Sequence, residues 1–182
     1  MSDRRPALLG IAGALRAGST NRMLLAEAIR AFGPARAVTG DIRMPLYDGD
    51  LEAASGLPPE ARLLVAQIRE ADAVVIATPE YNKSIPGVRK NALDWVSRAR
   101  PGPLTGKPLA IVSAADGRAG GERSQFALRL ALVPFRPELV AGPEVLIAAS
   151  ATAFDEGGRL IDPRSRAGLA KVMANLRAKI GA

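Results

Sequence analysis

Cysteine and histidine are both absent from the 182 residues. Their absence removes disulfides, thiol nucleophiles, Ser-His-Asp triads and zinc sites built on Cys or His. A histidine general base is unavailable too, and no compact carboxylate cluster suggests an oxygen-ligand metal site. Any chemistry must come from carboxylates, Lys, Tyr, Ser or a bound cofactor. Aromatics are scarce, at 4%, and the basic residues are scattered singly. A stacking platform for nucleic-acid strands is therefore not expected. No apolar run approaches the roughly 20 residues that span a bilayer. The opening MSDRRPALLGIAGAL has the charge-then-apolar order of a signal peptide. Its glycines lead straight into a loop, so it reads as the first strand of a cytoplasmic protein.

What is present suits one globular domain over residues 1–182. Hydrophobic residues make up 48%, and the formal charge is +7 with arginine in excess over lysine. Such a surface attracts anions, nucleotides among them. The most informative stretch is AVVIATPEYNKSIPGVRKNALDWVSR, Ala73 to Arg98. Ala73 to Ala77 is an unbroken apolar run suited to a parallel strand buried on both faces. Thr78-Pro79 ends it, because proline cannot continue the ladder. Glu80 to Ile85 is a polar loop carrying Tyr81. Pro86 fits the first turn of a helix, whose face Val88, Ala92, Trp95, Val96 and Ala99 would line. In an open α/β sheet, ligands bind in the loops that leave the carboxyl ends of strands.

The same grammar repeats along the chain. Ala7 to Ala14 reads as a first strand. The loop Leu15–Asn21 follows, then a helical period from Arg22 with Leu24, Leu25, Ala28 and Phe32 on one side, stopped by Gly33-Pro34. The loop and helix start form a phosphate cradle in principle: unpaired N–H groups and the helix dipole point at it. Ser19, Thr20 and Asn21 can cap the helix or donate to phosphate oxygens, and Arg16 offers a bidentate fork. Ala35 to Ile42 is a weaker strand. Arg43 to Pro59 reads as an exposed loop, and a helix runs from Pro59 to Glu70. Pro108 to Ala114 is a buried strand, and its exit loop, Ala115 to Gly121, is rich in small residues that let a flat ligand approach the backbone. A helix follows over 122–132. The last strand lies within Val133 to Ser150, best matched by Glu144 to Ala149. Asp162 caps a final helix beginning at Pro163, with Leu169, Val172, Met173, Leu176 and Ile180 on its apolar face. Five strands alternating with five helices predict an α/β, doubly wound parallel sheet. Right-handed crossovers and a phosphate loop after the first strand favour a three-layer, five-stranded sheet in the flavodoxin-like order 2-1-3-4-5.

PEYN, then SIPG, then KNALDW, in this order and spacing, resembles the signature of the NAD(P)H-dependent FMN reductases. These flavodoxin-like flavoproteins include quinone, azo-dye and chromate reductases. The resemblance runs from Ala7 to Leu160. In that family S-L-R-x-x-S-x-N binds the FMN phosphate, and Arg16, Ser19 and Asn21 match it. Ala14 stands where serine is usual, a lost contact worth about 1 kcal/mol. Met44 to Asp50 is similar to the family's P-L-Y-x-x-D stretch, which lies near the flavin or a subunit contact. The family's loop G-A-S-P-G-x-x-G-G corresponds to Ser113-Ala114-Ala115-Asp116-Gly117, with Ala115 and Asp116 in place of serine and proline. The resemblance implies an FMN flavoprotein that takes a hydride from NADPH or NADH and passes two electrons to a quinone, free flavin or similar small acceptor in a ping-pong sequence. It implies cofactor contacts at Arg16, Ser19, Thr20, Asn21, Pro79, Glu80, Tyr81, Asn82, Ser113, Asp116 and Gly117, and a homodimer or homotetramer. Lys83, where relatives often carry an apolar or aromatic residue, would face solvent or the nicotinamide phosphate. Arg118 or Arg123 could meet the donor's phosphates, favouring NADPH. A flavodoxin-type electron carrier and a flavin-free subunit stand as alternatives. The +7 charge argues against the former, since such carriers are usually acidic.

Overall fold

A computed structural model describes residues 4–181. Its parallel sheet is built from β1 (Ala7–Ala12), β2 (Arg36–Gly40), β3 (Ala73–Thr78), β4 (Pro108–Ala114), β5 (Glu138–Leu139) and β6 (Leu146–Ile147). The strand order is β2-β1-β3-β4-β5, with β6 also pairing β4. The flavodoxin-like order expected from the sequence is the one observed. The helices are α1 (Thr20–Phe32), α2 (Gly49–Ser55), α3 (Pro59–Glu70), α4 (Gly87–Val96), α5 (Glu122–Leu132) and α6 (Pro163–Ala178).

Two apolar layers sandwich the sheet, and the pleat assigns residues to them alternately. Ala73, Val75 and Ala77 of β3, with Ala110 and Val112 of β4, face Leu24, Leu25 and Ala28 of α1 and Leu169, Val172 and Met173 of α6. Val74 and Ile76, with Leu109 and Ile111, face Leu64 and Ile68 of α3, Ala92 and Val96 of α4, and Leu128 and Leu132 of α5. β1, β3 and β4 are therefore buried on both faces, which is why they read as continuous apolar runs. β2 is an edge strand, exposed over Arg36–Thr39.

Four expectations need correction. β1 ends at Ala12, and the N–H of Gly13 makes the last hydrogen bond to β3, to the Ala77 carbonyl at 2.7 Å. α1 begins at Thr20, with Ser19 as its N-cap, two residues before the apolar period starts. Arg43 to Pro59 is not all loop. Asp48 caps the short helix α2, whose residues are none of them buried, so no apolar period announces it. The fifth sheet position is shared by two short strands. β5 pairs with the start of β4 and β6 with its end. Between them lies Ala141-Gly142-Pro143, and a proline has no N–H for the ladder.

Candidate functional site

Three loops leave the carboxyl ends of the adjacent strands β1, β3 and β4 and are knitted into one edge. Asn21, at the start of α1, reaches β4: its Nδ2 donates to the Ala114 carbonyl at 2.7 Å, and its Oδ1 accepts the Ala114 N–H at 3.0 Å. A Cβ on Gly13 would lie 2.9 Å from the Pro79 ring, so the first and second loops touch there. The second loop is tied to α5 as well. Ser124 Oγ donates to the Pro79 carbonyl at 2.8 Å and lies 3.0 Å from Thr78 Oγ1, while Glu80 accepts the Arg123 N–H at 3.1 Å. Asp116 of the third loop accepts the Ala151 N–H at 3.1 Å.

The edge offers hydrogen-bond donors without acceptors. Ser19 Oγ takes the Asn21 N–H, but among the described residues the N–H groups of Ala17, Gly18 and Thr20 have no acceptor. Those of Asp116, Gly117 and Arg118 have none either. They add to the positive end of α1, so the edge is electropositive before any side chain is counted. Arg16 is exposed beside it. A cavity of about 220 Å³ opens on the β2 side of the loop, walled by Ala12, Ala14, Leu15 and Ile42 with Arg22 and Arg43 among its lining. Arg43 is partly committed, donating to the Leu15 carbonyl and to Asp41.

The second loop turns on two residues. Tyr81 and Ser84 exchange both backbone hydrogen bonds, leaving Asn82 (φ 50°) and Lys83 (φ 64°) in the left-handed region. Positive φ at both central positions is the geometry of a type I′ hairpin turn, where Asn is favoured and Lys is strained. Tyr81 stands out from the turn, 53% exposed.

The structure thus gathers Arg16, Ser19, Thr20, Pro79, Glu80, Tyr81, Asn82, Asp116 and Gly117 on one edge. Two other expected residues do something different there. Asn21 is 1% exposed, with both ends of its amide on Ala114. Ser113 is fully buried: its hydroxyl donates to the Gly120 carbonyl at 2.7 Å and accepts from Gln125 Nε2 at 2.9 Å. Both hold loops in place. Both Arg118 and Arg123 are exposed, but Arg123 lies 3.5 Å from Glu80, so its charge is already shared, whereas Arg118 forms no salt bridge among the described residues.

Two features escape sequence reasoning. Asn91 and Trp95 of KNALDW fasten the Met44–Tyr47 segment. Asn91 Nδ2 and Trp95 Nε1 donate to the Pro45 carbonyl at 2.9 and 2.8 Å, Asn91 Oδ1 accepts the Tyr47 N–H, and the Tyr47 ring meets Trp95 edge-on at 5.0 Å. Arg89 is the other. It lies in line with Ala92, Leu93 and Val96 on the buried face of α4 and is itself 2% exposed. The signal was there: a cation in an i, i+3, i+4, i+7 row of apolar positions.

Comparison with known proteins places the chain in a family. The model of the NADPH-dependent FMN reductase family matches residues 6–152. An NAD(P)H-dependent FMN reductase of Pseudomonas aeruginosa is 46% identical over 161 residues, covering 87% of this chain and 86% of that protein. A quinone reductase of Escherichia coli is 41% identical over 155 residues, 82% of each chain. Among solved structures, the flavoenzyme NAD(P)H:acceptor oxidoreductase of Paracoccus denitrificans superposes with a TM-score of 0.86 at 28% identity, covering 97% of both chains.

Proposed function

The chain belongs to the NADPH-dependent FMN reductase family, and on that premise we propose that its carboxyl edge binds FMN for the reduction of a quinone or similar small acceptor. The chain is an NAD(P)H-dependent oxidoreductase. The site's own features fit the cofactor. Unpaired N–H groups at the positive end of α1 suit a phosphate, and a Cβ added at Gly117 would meet nothing within 4 Å. FMN, when bound, accepts two electrons as a hydride from NAD(P)H and yields them to the acceptor.

The protein's part is to bind and orient. Arg16, Ser19 and Thr20, with the N–H groups of Ala17 and Gly18, hold the phosphate. Asn21 and Ser113 act behind the site, fixing the loops that carry those donors. Pro79, Glu80, Tyr81 and Asn82, with the N–H groups of Asp116 and Gly117, would hold the ring. Arg123 keeps Glu80 in place. Arg118 meets the phosphates of the donor, which favours NADPH over NADH. The chain works as one domain, residues 1–182, in the cytoplasm; among the described residues no helix is long and apolar enough to cross a membrane. It pairs as a homodimer or homotetramer. The exposed Phe126, Leu130 and Val133, at i, i+4 and i+7 along α5 and the turn after it, support a self-contact beside the site.

The observation that carries the reading is the convergence of unpaired donors from the β1 and β4 loops on one edge. Nicotinamide and acceptor then use the same open face in turn. Initial rates with varied NADPH and quinone should give parallel double-reciprocal lines. Intersecting lines would mean that both substrates are held together.

A further inference from the structure

Arg89 has no role in the reading above. It is the third residue of α4, where the positive end of the helix disfavours a cation. It is 2% exposed. Its Nη2 donates to the Ile11 carbonyl at 3.1 Å, while its Nε has no partner. Among the described residues no carboxylate forms a salt bridge with it. Burial lowers its pKa to about 9, so it remains charged at neutral pH. A buried cation short of both a counter-ion and hydrogen bonds is costly, and an apolar side chain would suit the row Ala92, Leu93 and Val96 better. An orphan of this kind calls for an explanation, and an ion that binds nearby is one.

The position of the charge indicates which ion. Ile11 is the penultimate residue of β1, and two residues later Gly13 enters the loop that carries Arg16 and the unpaired N–H groups. The Ile11 carbonyl therefore holds Arg89 at the base of the phosphate loop. In a low-dielectric interior the field of a full charge reaches well beyond contact distance. We propose that Arg89 is a buried counter-charge for the phosphate in the β1–α1 loop, a positioning residue through which the site selects FMN over riboflavin, its dephosphorylated form. This inference rests on the reading that the loop binds the phosphate of FMN. Arg89 acts through its field and through its tie to Ile11, so its loss should affect the phosphate-bearing ligand alone. It also makes the empty site less stable than it could be, a strain that the anion relieves.

The test is a titration of the flavin-free protein with FMN and, separately, riboflavin, followed by quenching of flavin fluorescence. Wild type, Arg89→Met and Arg89→Lys are compared, with thermal melts of each flavin-free protein. Arg89→Met should weaken FMN about tenfold and riboflavin less than twofold. It should also melt higher than wild type without flavin, and Arg89→Lys should recover most of the FMN affinity. Equal weakening of both flavins, no change in either, or a flavin-free Arg89→Met that melts lower or fails to fold would each overturn the proposal, since each marks Arg89 as plain scaffold or bystander. Wild type that binds neither flavin would instead refute the cofactor reading on which the proposal rests.

Discussion

Asn21→Ala separates support of the site from contact with its ligand. The Asn21 amide closes two hydrogen bonds on Ala114, 2.7 Å from Nδ2 to the carbonyl and 3.0 Å from the N–H to Oδ1. Asn21 and Ala114 are each 1% exposed, so water has little access to either group. Truncation leaves a backbone donor and acceptor without partners. Each such orphan costs about 1–3 kcal/mol, and a total of about 2–6 kcal/mol is a large share of the roughly 5–15 kcal/mol by which domains are stable. Urea unfolding of the flavin-free protein, followed by far-UV circular dichroism, measures it. With a slope near 2 kcal/mol/M, the midpoint should fall by about 1–3 M at unchanged slope. Asn21→Asp is the companion variant. It can still accept the Ala114 N–H but sets a buried carboxylate against the Ala114 carbonyl, so it should destabilise at least as much. A stability loss under about 0.5 kcal/mol together with a large loss of flavin affinity would refute the reasoning, because the amide would then be a ligand and not a clamp.

Arg16→Ala should show the opposite pattern: FMN affinity weaker by about 1.5–3 kcal/mol, the range for a hydrogen bond to a charged group, with the flavin-free melting temperature unchanged; calorimetric titration reads the first and a thermal melt the second. Gly120→Ala should destabilise by at least about 1–3 kcal/mol from backbone strain. Its φ is +57°, and a Cβ there would lie 2.6 Å from the Leu146 carbonyl carbon. A urea midpoint equal to wild type would contradict that geometry. Asp72 carries a pH signature. Partial burial would push its carboxyl up, but the Ala7 N–H at 2.7 Å and the Arg4 guanidinium outweigh this and hold it below the ordinary carboxylate value. Its folded pKa is thus depressed, so the stabilisation is present above the unfolded value near 3.9 and is lost as pH falls through the lower folded value. Asp72→Asn should therefore lower stability at neutral pH and narrow the gap to wild type as the pH is taken below about 4.

The sheet is legible in the sequence because β1, β3 and β4 are buried on both faces and punctuated by Gly13, Pro79 and the Ala115–Gly121 loop. Strand order follows from the crossovers and from the phosphate-type loop after β1. α2 is not legible, because a helix that buries nothing carries no period. The split between β5 and β6 is also hidden, since two-residue strands are too short for alternation to register. In the site, residue types point to the right loops but not to side-chain direction. Asn21 and Ser113 have the chemistry of ligands, yet the packing of β4 against α1 and α5 turns both toward backbone groups. That choice is made by partners 93 residues away in one case and seven in the other.

The central claim is that this edge carries electrons from a reduced nicotinamide to a small acceptor through bound FMN. Anaerobic mixing of the FMN-loaded protein with excess NADPH, and separately NADH, tests it most directly. The flavin absorbance should bleach within seconds with at least one of the two, and adding a quinone should restore it. Flavin that stays oxidised for minutes with both donors would contradict the reductase account and leave an electron carrier in its place.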